Sequence, residues 1–250
     1  MSLLAEVAKD LLRQIVPLRQ QRLLIRYALS NSSAVTLDQL HAKGFKPGGA
    51  IDVGAYHGEW TRTFSRVFQG VPILMIEPQA DKRDHLERTA RRIGNCVDLE
   101  TALLSREQGA EVQFFMMETG SSMYPENTTA PRHRIRMHTE TLDTVVSRHP
   151  RLREPYFIKL DVQGAELDVL RGGAETLGKA EGVMLEASVL NYNEGAPGLR
   201  EAIEFMEAEG FAIYDIANLM RLVTGDLCQL DAIFLRHDTA FRPTGMLPLR

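Results

Sequence analysis

The sequence predicts an α/β fold, a doubly wound and mostly parallel sheet with a helical appendage at the N-terminus. Three observations predict it. From residue 50 onward, short apolar runs alternate with amphipathic helical stretches, the pattern of strands joined by crossover helices. The first run ends in a glycine-bearing turn that opens a helix, as at the ligand end of such sheets. The last two runs have no helical stretch between them, which predicts a hairpin and one antiparallel strand at the end of the sheet.

The elements follow in order. Over residues 3–29 apolar side chains recur at helical spacing (Leu3, Leu4, Val7, Leu11, Leu12, Ile15, then Leu23, Leu24, Tyr27), and Pro17 divides them into two short helices. A third short helix is expected from Thr36 as N-cap, with Gln39 in capping-box position and Gly44 closing it. Residues 1–47 are thus expected as the appendage and 48–250 as the main domain.

The main domain is expected to run as follows. Ala50–Val53 is a buried strand, followed by a helix to about Phe68. Pro72–Ile76 is the second strand, with Pro78 where a helix begins. Val97–Leu104 is the third, and Ala110–Met116 an additional one. Residues 117–134 form a long polar loop, the kind that often carries function. Ile135–His138 is a short strand, and Thr141 caps a helix through Val146. Tyr156–Val162 is a central strand whose helix ends before Gly172-Gly173. Gly182–Ala187, a helix from Gly198 to Glu209, and strands Phe211–Ile216 and Gln229–Leu235 complete the pattern.

Bulk properties restrict the function. The net charge of −4 and pI near 6.0 leave no electrostatic footprint for nucleic acid or an anionic membrane. The two cysteines, Cys96 and Cys228, build neither a disulfide framework nor a zinc pattern, and a reducing, cytoplasmic location is expected. No apolar run is long enough to span a bilayer.

The chemistry begins at Ile51-Asp52-Val53-Gly54-Ala55-Tyr56-His57-Gly58. Gly54 permits close backbone approach, and Gly58 lets the helix start near the ligand. A dinucleotide loop reads GxGxxG, with a pyrophosphate on exposed amides. Here the spacing is GxxxG, with Tyr56 at the middle position, which disfavours a nicotinamide cofactor. Asp52 suits a cationic ligand, such as the amino and sulfonium end of S-adenosylmethionine. Glu77, at the end of the second strand, is placed to accept ribose hydroxyls.

The stretch from Phe157 to Gly172, with Lys159-Leu160-Asp161-Val162-Gln163-Gly164-Ala165-Glu166 at its head, resembles the FkbM family of S-adenosylmethionine-dependent methyltransferases. Ile51–Ala55 with Gly58, Ile76-Glu77-Pro78, Thr141-Leu142-Asp143 and Leu185-Glu186 support the resemblance, which covers roughly residues 50–236. The family usually has Asn where this chain has Tyr56. The resemblance implies a seven-stranded, Rossmann-like sheet of the class I methyltransferase type and methyl transfer to a hydroxyl of a sugar, glycan, polyketide or other specialised metabolite. By position it implies that Asp52, Gly54, Ala55 and Gly58 shape the methionine side of the cofactor pocket; Tyr56 and His57, within the same loop, are also expected to contact the cofactor. Glu77 would bind the ribose, with Pro78 and Gln79 beside it. Ala102, Leu103 and Leu104 would lie near adenine, and Asp161 beside the transferred methyl.

A hydroxyl nucleophile must lose its proton, so a base is sought. The candidates are Asp161, His138 and His133, with Asp161 equally suited to orienting the cofactor amine or capping a helix. Asp161 and Glu186 without a third ligand are too few for a metal, so none is assigned. A small-molecule or glycan acceptor is the expected partner, and a homodimer through the N-terminal helices is open. Two alternatives stand beside the enzyme: an inactive cofactor-binding partner protein and an NAD-linked oxidoreductase.

Overall fold

The computed structural model describes residues 32–117, 120–125, 132–190 and 193–242. The two expected helices over residues 3–29, and any dimer contact through them, lie outside the described residues. So do Asn127 and its neighbours in the long loop, and Asn191 and Tyr192.

In chain order the elements are α1 (Ser33–Ala42), β1 (Gly49–Val53), α2 (Glu59–Val67), β2 (Ile73–Ile76), α3 (Arg83–Ile93), β3 (Val97–Glu100), β4 (Leu103–Leu104), β5 (Glu111–Met116) and β6 (His133–Glu140). They continue as α4 (Leu142–Ser147), β7 (Tyr156–Leu160), α5 (Glu166–Arg171), α6 (Ala174–Gly178), β8 (Ala180–Ser188), α7 (Leu199–Ala208), β9 (Phe211–Arg221) and β10 (Leu227–Arg236). Seven strands form one sheet in the order β3-β2-β1-β7-β8-β10-β9. The first five are mutually parallel, and β10 runs antiparallel to both β8 and β9. The antiparallel strand is therefore the penultimate one, and β9 forms the edge beyond it. Strand order reverses between β1 and β7, the switch point outside which ligands of such sheets bind.

Side chains alternate across the sheet, and each face has its own core. Ile51, Val53, Ile158, Leu160, Leu185 and Ala232 point to one face, packed under α4 to α7. Ala50, Met75, Phe157, Met184 and Ile233 point to the other, under Leu37 and Leu40 of α1, Trp60 and Phe64 of α2, and Leu86 of α3. Phe45 sits edge-on to Phe68, Phe157 and Phe241, so residues 32–47 are built into the body of the domain.

Four details differ from the sequence expectation. Ser32, not Thr36, caps α1: its hydroxyl accepts from the Ala34 N–H, whereas Thr36 is buried within the helix and donates to Asp215. The expected strand Val97–Leu104 breaks in two, and β4 pairs with β6 in a separate three-stranded sheet, β4-β6-β5. β6 and β9 are longer than their apolar runs because strand pairing carries on through polar residues.

Candidate active site

The carboxyl ends of the parallel strands open onto a cavity of about 630 Å³, the scale of a small-molecule site. The β1–α2 turn forms its floor. Gly54 stands at φ +73°, and a Cβ there would fall 1.9 Å from the carbonyl oxygen of Asp161. Only glycine lets the β1 and β7 ends approach so closely. Gly58, at φ +73°, lies against Thr89 and Met75 and lets α2 begin beneath the turn.

Between them Tyr56 holds φ 47°, a left-handed conformation rare for a side chain of its size. Its N–H donates to Glu77 Oε2 at 2.9 Å, its ring stacks on His57, and the Lys82 ammonium lies 5.1 Å from the ring centroid. The described non-glycine residues with positive φ are Tyr56, Gln163 and Asn218, and each lines a cavity at this end of the sheet. Such strain gathers where the surrounding structure over-determines the backbone, commonly at functional sites.

Glu77 is buried at the end of β2. It also accepts from the Gln79 N–H at 3.1 Å and from the Gln79 side-chain amide. Burial raises its carboxyl pKa, opposed by these hydrogen bonds and by Lys159. Gly54, Tyr56, Glu77, Pro78 and Gln79 line one side of the large cavity, and Ala102, Leu103 and Leu104 close the apolar end. Asp161 lines it from the tip of β7.

Other expected site residues lie elsewhere. Asp52 is fully buried and lines neither cavity: its Oδ2 accepts from Thr61, and its Oδ1 lies 3.3 Å from Lys159 Nζ. It faces away from a ligand in the large cavity because β1 alternation points it to the α2 side. His57 stacks on His85, away from both cavities. His133 and His138, expected as candidate bases, sit exposed on β6 and line neither cavity. Ala55 lines the smaller cavity.

That cavity, of about 270 Å³, shares Gly54, Tyr56, Glu59 and Asp161 with the large one and adds Lys159, Asn218 and Asp231. Lys159 is its centre. The ammonium donates to the Gly54 carbonyl at 3.0 Å and lies 3.3 Å from Asp52 and 3.4 Å from Asp161. Burial works against its charge, but Asp161 and Asp52 outweigh burial and hold it protonated well above the ordinary lysine range. Burial pushes Asp231 up to about 6, although the Asn218 amide donates to it. Glu166 accepts from the Val162 and Gly164 N–H groups, and burial pushes its carboxyl up to about 7.

Gln163 bridges two acids: its side-chain amide donates to Asp161 at 3.1 Å and to Glu186 at 2.6 Å. Glu186 lines the large cavity, and burial raises its carboxyl pKa well above the ordinary range, helped by Asp161, Glu166 and Asp231. Asp168 pins the long loop beside the site, accepting from Arg106 at 2.6 Å, Tyr124 at 2.8 Å and Arg171 at 3.0 Å. Among the described residues no group of three or more His, Cys, Asp or Glu is placed to hold a metal.

The glycine-floored turn, the acid on β2 and the motif after β7 thus converge on one cavity, and the methyltransferase FkbM domain matches this sequence over residues 52–213, which contain all three. The chain belongs to that family. Its sheet is doubly wound and mostly parallel, with helices on both faces, as the resemblance implied. No curated protein matches this sequence. Among solved structures, it is similar to a methyltransferase FkbM from Methylobacillus flagellatus KT, at 16% identity and TM-score 0.48, over 74% of this chain. The chain spans only 43% of that protein's length. It is also similar to magnesium protoporphyrin IX methyltransferase from Synechocystis PCC 6803, at 9% identity and TM-score 0.48, over 82% and 79% of the two chains. A third is 1,6-didemethyltoxoflavin-N1-methyltransferase from Burkholderia thailandensis, at 13% identity and TM-score 0.44, over 95% and 92%. No helix among the described residues is long and apolar enough to cross a membrane.

Two features of this site fit S-adenosylmethionine. Gly54 leaves a cradle that a Cβ would fill, between an apolar end for adenine and a buried acid for ribose. Beyond it stand Asp161 and Glu186, which suit a cationic sulfonium and ammonium.

The residues missed by sequence reasoning are Asp231, Asn218, Asp168 and Tyr124. Lys159 and Glu166 were expected only as part of the motif after β7, with no role of their own. A signal existed for two of them. Lys159 is the lone charge in an otherwise apolar strand, Asp231 stands between apolar neighbours in β10, and a buried charge is kept only with partners.

Proposed function

We propose that the chain transfers the methyl group of S-adenosylmethionine to a hydroxyl of a sugar, glycan, polyketide or other specialised metabolite. The observation that carries this is the continuity of the large cavity. It runs from Ala102 and Leu103 past Gly54 to Asp161, Glu186 and Gln229, leaving an acceptor space beyond the cofactor cradle. When bound, the cofactor supplies an electrophilic methyl carbon on a positively charged sulfur.

The chain's own residues supply position and charge. Glu77 would accept the ribose hydroxyls, and Ala102, Leu103 and Leu104 would pack on adenine. Asp161 would hold the cationic end; its Oδ2 is engaged by Lys159 and its Oδ1 by Gln163, which suits orientation better than proton uptake. Holding the reacting atoms in line in a water-poor site supplies much of the acceleration. Ser121 and Gln229 line the cavity among Met117, Met123, Met220 and Leu222, and offer polar groups to a hydroxylated acceptor.

The test is transfer from labelled S-adenosylmethionine to a panel of sugar and polyketide alcohols. Label recovered as an alkali-stable methyl ether is the expected result. Label only on nitrogen or carbon acceptors overturns the hydroxyl assignment, and NAD binding without S-adenosylmethionine binding overturns the enzyme class.

A further inference from the structure

At the carboxyl end of the sheet, four acids stand around one buried cation, which pairs with two of them. Strand register places Asp52 beside Lys159, Lys159 beside Met184, and Glu186 beside Asp231, all on one face, with Asp161 at the tip of β7. Lys159 is ion-paired with both Asp52 and Asp161. Glu186 and Asp231 are left with amide donors, Gln163 and Asn218, and among the described residues no cation lies within ion-pair distance of either. Of these two, Glu186 lines the cavity that holds the cofactor cradle, whereas Asp231 lines the smaller cavity.

We infer that Glu186 is the catalytic base, ionised by the positive charge of the bound methyl donor and reprotonated by the acceptor hydroxyl. This rests on the hydroxyl transfer proposed above. Glu186 takes the hydroxyl proton while the acceptor oxygen bonds to the methyl carbon. The carbon–sulfur bond breaks, its electron pair stays on sulfur, and the sulfur charge is lost. Glu186 thus ends neutral beside a neutral thioether, and the site's net charge is unchanged through the step.

The charges around Glu186 make the coupling work. Asp161 and Glu166 face it from the β7 end and Asp231 from β10, all opposing its ionisation, while Lys159 favours it. Tyr56, Glu59, Glu77 and Cys228 are the other titratable groups on the cavity walls. Without a bound cation, burial and three neighbouring acids favour the protonated form of Glu186.

Binding is the readout, so no acceptor is needed. Calorimetry in buffers of different ionisation enthalpy counts the protons released when S-adenosylmethionine or S-adenosylhomocysteine binds near neutral pH. The donor is expected to release up to about one proton more than the product, and Glu186→Gln is expected to abolish that difference. Asp231→Asn is expected to retain it. Equal counts for the two ligands on the wild-type protein overturn the proposal without any variant. A difference that persists in Glu186→Gln, or vanishes only in Asp231→Asn, also overturns it. If neither ligand binds, the cofactor site itself is wrong. If the counts behave as expected but no alcohol is methylated, the hydroxyl acceptor is wrong while Glu186 remains the charge-coupled acid.

Discussion

The two faces of the central sheet are built from the same strands and differ in one respect. On the face under α4 to α7, β1, β7, β8 and β10 contribute an unbroken apolar layer up to the carboxyl end. On the face under α1 to α3, the apolar layer stops short and gives way to Asp52, Lys159, Glu186 and Asp231. A period of two residues in each strand separates them: Leu160 and Lys159 are neighbours in sequence and opposite in environment. The first face is stabilised by burial. The second buries Asp52 and Lys159 and half-buries Glu186 and Asp231, at a cost, and that cost locates the chemistry.

The harshest way to break the comparison is at the point where the faces meet. Gly54→Ala places a methyl against the Asp161 carbonyl at a positive φ. It is expected to cost at least about 4 kcal/mol, a large share of a stability of about 5–15 kcal/mol. Thermal unfolding measures the loss, and calorimetry is expected to show no cofactor binding.

A paired substitution separates the faces directly. Leu160→Ala, on the apolar face, is expected to cost about 2–5 kcal/mol by leaving a cavity. Lys159→Met is expected to cost about 3–5 kcal/mol by stripping Asp52 and Asp161 of their cation. Denaturant titrations across pH tell them apart. The Leu160 effect stays flat, whereas the Lys159 effect shrinks toward acid pH as the orphaned carboxylates take up protons. Two flat profiles would mean the polar row carries no net charge.

Glu166 sharpens the same distinction. Its carboxyl titrates at about 7 in the folded protein against 4.5 unfolded, so the folded state holds a proton that the unfolded state has lost. Stability is therefore fully present below about pH 4.5 and falls as pH rises to about 7, by on the order of 3 kcal/mol. Asp231, raised from 3.8 to about 6, adds in the same direction. Glu166→Gln is expected to flatten most of that slope, as followed by melting temperature against pH.

Much of this was legible in the sequence. The order of strands and helices, the GxxxG turn, Glu77 and the Asp161 motif are local patterns, and they place the cavity. The polar row was not legible, because it depends on register between strands far apart in sequence: Lys159 meets Asp52 over 107 residues of chain (159 minus 52). The same holds for Asp168, whose partners Arg106 and Tyr124 come from the loops around β5. β4 was misjudged because Thr101 and Ala102 look no different in sequence from a strand interior, yet pairing passes there from β2 to β6.

The smallest expected effect lies on that loop anchor. Tyr124→Phe removes one hydrogen bond to Asp168 and is expected to cost about 1 kcal/mol. Its main readout is faster proteolytic cleavage within residues 120–125, with the global melting temperature nearly unchanged.

The central claim is that the polar end of the sheet holds S-adenosylmethionine through the cradle between Gly54 and Glu77. Calorimetric titration of the wild-type protein and Glu77→Gln tests it most directly. The account predicts binding at one site, no NAD binding, and affinity reduced about 10- to 100-fold in the variant, as expected for lost hydrogen bonds to a charged acceptor. Equal affinity in both proteins, or NAD bound in place of S-adenosylmethionine, would contradict it.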